Sequence, residues 1–393
     1  MLHSDAPGTS LPLLPPHASI VVDSQAHMLF DVSTFSAGPE AMVHLALALA
    51  SVAPNQTFVV PHGHGHPGLP RKMLEIRENR RFLDIPTKPL DAIRQGDFFI
   101  LPEVRPCPTD LVKRGAKVYI WRLGCEGGAQ LIRQHIDQGC HHFSHTFWLS
   151  RNLIDTPLPR SHVVRPYLSP LFMELTGTAL MLPPAQRQNS VVINAHDMPP
   201  DVLKTIEEGC SAIDAPNLRC WVAHGLSKRE LAAEMGRSKI VIAWCMNGAE
   251  RLPLEAVLFR NVLLTNACRH GSDPDDFPLP AHHRVDNATQ MVSAVQRVLN
   301  DYSLAVQEQT MLRSVYRGLS LDSMAQEARA FLSAAQVPVG WTRFPTEQRP
   351  SRPRITFARG RSWFPTPHPG PSRNKPGRRM LQRESVRVVE EWW

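Results

Sequence analysis

Short runs of consecutive apolar residues alternate with longer stretches of helical period along most of the chain, the pattern of strands buried on both faces of a parallel sheet. Ala18–Asp23 (ASIVVD) is the first such run. Ala41–Ser51 follows as a helix with Pro39 and Glu40 in its first turn, and Thr57–Pro61 (TFVVP) returns as a strand. Strand, helix and strand in that order make a parallel unit. Phe98–Glu103 (FFILPE), Lys117–Arg122 (KVYIWR) and His141–Ser144 read as further strands, with helices over Leu111–Arg114 and Phe147–Ile154. Val163–Tyr167 (VVRPY) is expected to complete this sheet.

Periodicity lapses from Leu168 to Asn189, where Pro170, Pro183 and Pro184 interrupt the chain as in a linker. Ser190–Asn194 (SVVIN) then opens a second set of elements. It continues with helix Asp201–Gly209, strand Arg219–Ala223, helix Lys228–Met235, strand Lys239–Trp244 and strand Val262–Leu264. Amphipathic helices over Ala288–Leu299, Leu304–Val315 and Leu321–Ala334 close the set. The predicted organisation is a flexible leader (1–17), an α/β domain (18–168), a linker (169–189), a second α/β domain (190–336) and a tail (337–393). The tail is rich in proline and arginine and is expected to be disordered, because it cannot bury enough apolar surface to fold alone.

A length of 393 residues, 42% of them apolar, suits two hydrophobic cores. The net charge of +7 belongs to the tail: twelve of the 43 Lys and Arg residues but only four of the 36 acids follow residue 336. The body is therefore close to neutral, so the basic balance of the whole chain is no argument for a nucleic-acid-binding fold. A basic tail of this kind suits weak contact with an anionic partner, nucleic acid or membrane. Seven scattered cysteines without a Cys-x-x-Cys pair imply reduced thiols in a cytoplasmic protein. No apolar run approaches the roughly 18 residues of a membrane span, and the leader is a poor signal peptide. The glycosylation patterns at Asn55 and Asn287 are accordingly expected to be idle, and His62, His64 and His66 are expected in a solvated loop.

The chemistry gathers in Asn247–Asn266 (NGAERLPLEAVLFRNVLLTN), where a glycine turn leads into a helix with Pro253 in its first turn and then a buried strand. This layout holds phosphates and sugar hydroxyls in open α/β folds. The stretch resembles the donor-binding segment of GT-B glycosyltransferases, and Gly248–Ala256 is similar to the form found in bacterial polysaccharide-type members. Ala267–Asp286 extends the resemblance. It implies a GT-B fold of class α/β: two Rossmann-like domains with parallel sheets facing across a cleft. It also implies transfer of a sugar from a nucleotide-sugar donor to a hydroxyl of a glycan or related acceptor, with no cofactor beyond that co-substrate and no metal.

By the same resemblance, Glu255 bonds ribose hydroxyls. Gly248 and the helix amides after Glu250 hold the diphosphate, and Arg251 offsets its charge. The family's other glutamate falls on Asn247. Ser36-Ala37-Gly38-Pro39-Glu40 resembles a Gly-Gly-Pro-Glu loop, which brings Gly38 to the donor phosphates, and the base rests against the loop of Gly225 and Ser227. Ser227 also reads as the N-cap of a capping box with Glu230. Arg122 and Glu126 fall at strand ends that face the cleft. A histidine is expected as general base. His141, His142 and His145 are the candidates; the sequence does not choose between them, and His145 stands just beyond its strand. The loop Ala195–Pro200 lacks the usual cation, so protonated His196 or Arg251 must stand in if the protein is a competent transferase. Asn247, Ala37 and that gap favour an alternative, a catalytically silent nucleotide- or glycan-binding protein; a non-hydrolysing nucleotide-sugar epimerase is another.

Overall fold

The computed structural model describes residues 14–336 apart from 16, 24–36, 62–68, 70–76, 125–127, 153–157, 169, 196–197, 224–225, 227, 247 and 249–250. The first half contains five parallel strands: β1 (Ile20–Val22), β2 (Thr57–Val59), β3 (Phe98–Pro102), β4 (Lys117–Arg122) and β5 (His141–Ser144), in the order β2-β1-β3-β4-β5. Successive residues of a strand point to opposite faces, and both faces here are apolar. Ile20, Val22, Ile100, Tyr119, Trp121 and Phe143 pack under helix Ala37–Val52. Val21, Phe99, Leu101, Val118 and Ile120 form the core on the other side with Leu111. Helix Ala37–Val52 is buried nearly all round, which accounts for its unbroken apolar run.

The second half repeats the plan with β6 (Ser190–Asn194), β7 (Arg219–Val222), β8 (Ile240–Ala243), β9 (Val262–Asn266) and β10 (Arg284–Val285), in the order β10-β9-β8-β6-β7 and again all parallel. Counted from its own first strand, each sheet has the same order. Each therefore reverses direction beside its first strand, between β1 and β3 and between β6 and β8. In open α/β sheets, ligands bind outside the carboxyl ends of the strands at such switch points. The two parallel sheets implied by the resemblance are present.

Several expectations are corrected. Val163–Tyr167 does not join the first sheet beyond one bridge, Ser144 to Val163. Arg165 N donates instead to Glu327 Oε2 at 2.6 Å, and Pro166 has no amide to offer. The linker carries a helix, Pro170–Thr176, whose Phe172 and Leu175 belong to the second core. Leu304–Val315 is two helices, Tyr302–Glu308 and Thr310–Arg317, because Gln309 turns inward. Its side chain is fully buried and bonds both backbone groups of Leu263, at 3.0 and 2.7 Å. Helix Leu321–Gln336 packs on the first half, where Phe331 stacks on Phe143 with 4.3 Å between ring centres. The chain thus passes between the halves twice, and the passages lie side by side, with Leu168 N donating to Leu319 O at 3.2 Å.

The cysteines are not all reduced. Cys107 and Cys140 form a disulfide across 33 residues of chain, a spacing that no local motif would reveal. Among the described residues, no helix is long and apolar enough to cross a membrane. Of the two glycosylation patterns, Asn287 is exposed and caps helix Ala288–Asn300 by accepting from Gln290 N at 2.9 Å.

Candidate active site

The turn after β8 and the helix Arg251–Leu258 sit at the switch point of the second sheet. Leu252 to Leu258 are all buried, so this short helix owes its stability to its surroundings more than to its length. Arg251 stands at its start and Glu255 one turn later, which places both on the same side.

Arg251 reaches across to Glu40, in the first turn of the helix that follows β1 at the other switch point. Lys228 Nζ, at the start of helix Lys228–Arg237, approaches both Glu40 oxygens at 3.2 and 3.3 Å. Glu40 is fully buried. Burial opposes its charge, but Arg251 and Lys228 more than offset it and hold its pKa down at about 2. Arg251 Nη2 also donates to His44 Nδ1 at 3.2 Å, which leaves Nε2–H to donate to Asn79 Oδ1 at 3.0 Å. Burial and the neighbouring Arg251 hold His44 neutral, with a pKa of about 3. Glu255 shares this environment at 4% exposure. Burial pushes its pKa up to about 7; Lys228 and Arg251 pull against that rise and Glu40 adds to it.

A second group lies beside the first. A Cβ on Gly248 would fall 2.3 Å from Leu123 O and 3.2 to 3.3 Å from Cε1 and Nε2 of His145, so only glycine permits this approach. The Leu123 turn is held by its own amide, which donates to Glu103 Oε2 at 2.9 Å. His145 Nδ1–H donates to Arg122 O at 2.9 Å, leaving the lone pair on Nε2, toward Gly248. Burial, reinforced by His270, lowers the His145 pKa to about 3. His270 joins the halves, bonding Met246 O at 2.9 Å and Thr146 Oγ1 at 2.8 Å. Asp276 does so as well, accepting from the amides of Phe147 and Trp148 at 2.8 Å each.

No family model matches the chain, and no curated protein does. Solved structures with a similar course of chain include three transferases. One is a DNA-modifying beta-glucosyltransferase, solved with and without uridine diphosphoglucose (8% identity, TM-score 0.43, 81% of this chain and 98% of that one). Another is the spinosyn forosaminyltransferase SpnP (11%, 0.40, 81% and 100%). A third is AviGT4, a glycosyltransferase involved in avilamycin A biosynthesis (12%, 0.43, 81% and 98%). Likeness at this level assigns no chemistry.

The site therefore stands on its own geometry. Of the expected residues, the structure brings together Gly248, Arg251, Glu255 and His145. Gly38 lies in the first turn of helix Ala37–Val52, and Gly225, Ser227, Asn247, Glu250, His196 and Glu126 lie outside the described residues. His62, His64 and His66 do too. Strand parity separates His142 from His145, and His141 lies at the opposite end of β5 from it. His141 stacks on Tyr119 in the first core, and His142 stacks on His135 of helix Gly128–Asp137 on the opposite face. Lys228 was legible only as a helix-start residue and Glu40 only as the end of the Gly-Gly-Pro-Glu-like loop. Glu40 follows β1, which borders a switch point, and that position is the signal that could have found it, whereas Lys228 follows the edge strand β7.

Among the described residues, His282, His283 and Glu308 bring three possible metal-ligating atoms within 4.8 Å of one another. Their donor pattern does not suit a metal. The Gln309 amide, oriented by Leu263, donates to His283 Nδ1 at 3.0 Å, so the ring proton sits on Nε2, facing Glu308 at 3.5 Å. A cavity of about 340 Å³ lined by Glu207, Cys210, Arg219 and Cys220 lies at the amino end of β7, the opposite end of the sheet from Arg251 and Glu255.

Proposed function

We propose that the protein transfers a sugar from a nucleotide-sugar donor to a hydroxyl acceptor. The observation that carries this is the convergence of Glu255, Arg251, Lys228, Gly248 and His145 where the two switch points meet. In this scheme Glu255, partly ionised near neutral pH, accepts hydrogen bonds from ribose hydroxyls. Gly248 lets the diphosphate approach the backbone, the first amides of helix Arg251–Leu258 bind it, and Arg251 and Lys228 offset the charge of the leaving group. Lys228 supplies the cation missing after β6. A diphosphate would compete with Glu40 for both cations.

His145 takes the acceptor proton at Nε2 while Arg122 O holds Nδ1–H. Its low pKa makes it a weak base as it stands, and a diphosphate beside the ring would raise that pKa by favouring the imidazolium. Helix dipole and side-chain cations make a metal unnecessary in this scheme. By the resemblance, the acceptor is a glycan or a related hydroxyl compound.

The hold of Glu40 on both cations favours a second reading, a protein that binds nucleotides without turnover. Calorimetry with a panel of nucleoside diphosphates, followed by a donor-hydrolysis assay, separates the two. The transferase proposal expects at least one diphosphate to bind. Glu255→Ala should weaken that binding about tenfold or more, a loss of about 1.4 kcal/mol, and the matching nucleotide sugar should be hydrolysed. Binding without turnover supports the silent protein, and binding that Glu255→Ala leaves unchanged removes both. Glu255→Gln, which keeps the side-chain volume, serves as the folded control.

A further inference from the structure

The parallel register of β8 and β9 sets Ala243 opposite Thr265. Two residues on, the strands have ended and Cys245 stands beside Ala267 and Cys268. The two sulfurs are 2.9 Å apart, closer than unbonded sulfurs normally rest. Both residues are partly exposed, so a small oxidant can reach them. Cys245 has a left-handed backbone, φ 46°, which is costly for a residue with a Cβ. Asn266 holds it there: its Oδ1 accepts from Cys245 N at 2.7 Å, and its Nδ2 donates to Cys245 Sγ at 3.3 Å. The Cys107–Cys140 pair already places one disulfide in this chain.

We propose that Cys245 and Cys268 form a reversible disulfide that ties the turn after β8 to the end of β9. The enclosed segment includes Gly248, Arg251 and Glu255. The bond also fixes the backbone on both sides of the Met246–His270 hydrogen bond, which orients His270 for its bond to Thr146 of the first half. The oxidant is a small-molecule disulfide. The Cys245 thiolate, toward which Asn266 donates, attacks one of its sulfurs and expels one thiolate. The Cys268 thiolate then attacks the Cys245 sulfur and expels the other. The two protons lost by the protein thiols end on the released thiolates, and the oxidant gains two electrons. The crosslink forms whether or not the protein binds a nucleotide sugar.

The test uses the full chain equilibrated with reduced and oxidised glutathione in varied ratio, quenched in acid, alkylated and mapped by mass spectrometry. A peptide pair joined through Cys245 and Cys268 is expected to grow with oxidised glutathione and to vanish with dithiothreitol. The joined form should melt about 3 °C higher or more. Cys268→Ser should abolish the joined pair and leave glutathione on Cys245. Mapping separates this pair from Cys210 and Cys220, whose thiols are hydrogen-bonded to each other elsewhere in the second half. Full alkylation of both Cys245 and Cys268 at the most oxidising ratio overturns the proposal, as does an equal rise in melting temperature in Cys268→Ser.

Discussion

Glu255 is a carboxyl group whose protonation the fold favours. Its pKa in the folded protein, about 7, lies above the 4.5 of the free side chain, so the folded state binds the proton more tightly than the unfolded state. The stability this contributes is complete below pH 4.5 and is lost as pH rises through 7. Glu255→Gln cannot titrate. The unfolding free energy of the wild type relative to this variant should therefore fall by on the order of 3 kcal/mol between about pH 4.5 and pH 8. Urea denaturation at several pH values measures it, and a difference that does not change with pH would show that burial does not raise this pKa. Glu255, Arg251 and Gly248 were legible in the sequence because they lie in one short segment. Glu40 was legible as the end of a Gly-Gly-Pro-Glu-like loop but not as their partner, because it meets Lys228 and Arg251 across 188 and 211 residues of chain.

At the scale of elements, Gln309 shows where periodicity misleads. The apolar spacing of Leu304–Val315 suits one helix, yet this glutamine breaks it to occupy the edge of β9. At Leu263, β8 is on one side, but β10 does not reach the other, since its pairing starts at Thr265. The Gln309 amide supplies the acceptor and donor that a neighbouring strand would have provided. Removing it leaves a buried N–H and C=O unpaired, at a cost of about 1–3 kcal/mol each. Gln309→Ala should lower the unfolding free energy by about 2–4 kcal/mol, read from the urea midpoint; a loss below about 1 kcal/mol would mean that other groups replace its bonds. Strands were more legible than such joints. Lys117–Arg122 and Ser190–Asn194 have the expected ends because their apolar runs are bounded by polar or glycine turns, and His141–Ser144 has them too although Phe143 is its one apolar residue. Val163–Tyr167 looks like a strand by the same measure, but its pairing with β5 stops at the bridge to Ser144, and Arg165 bonds to Glu327 of helix Leu321–Gln336 instead.

For the molecule as a whole, the core of the first half is completed from the far end of the chain. Phe331, Leu332 and Met324 cover the face that carries Tyr119 and Phe143. Burying such side chains contributes about 1.5–3 kcal/mol each. A fragment spanning residues 14–168 should therefore be poorly folded alone and gain helical and near-ultraviolet circular dichroism when a peptide of residues 321–336 is added. A fragment that folds fully without the peptide would contradict this assignment. The repetition of one α/β plan was legible from the alternation of apolar runs and helices. The exchange of the last helix was not legible from periodicity, because an amphipathic stripe does not record which surface it covers; the family resemblance alone implied it.

The paired passages at Leu168 and Leu319 set the terms on which the halves can part. Two connectors bonded to each other behave like a door hung on adjacent pins: they resist sliding and allow a swing about their common line. The contacts of Gly248, His270 and Asp276 would then be the latch, released before any substrate could enter.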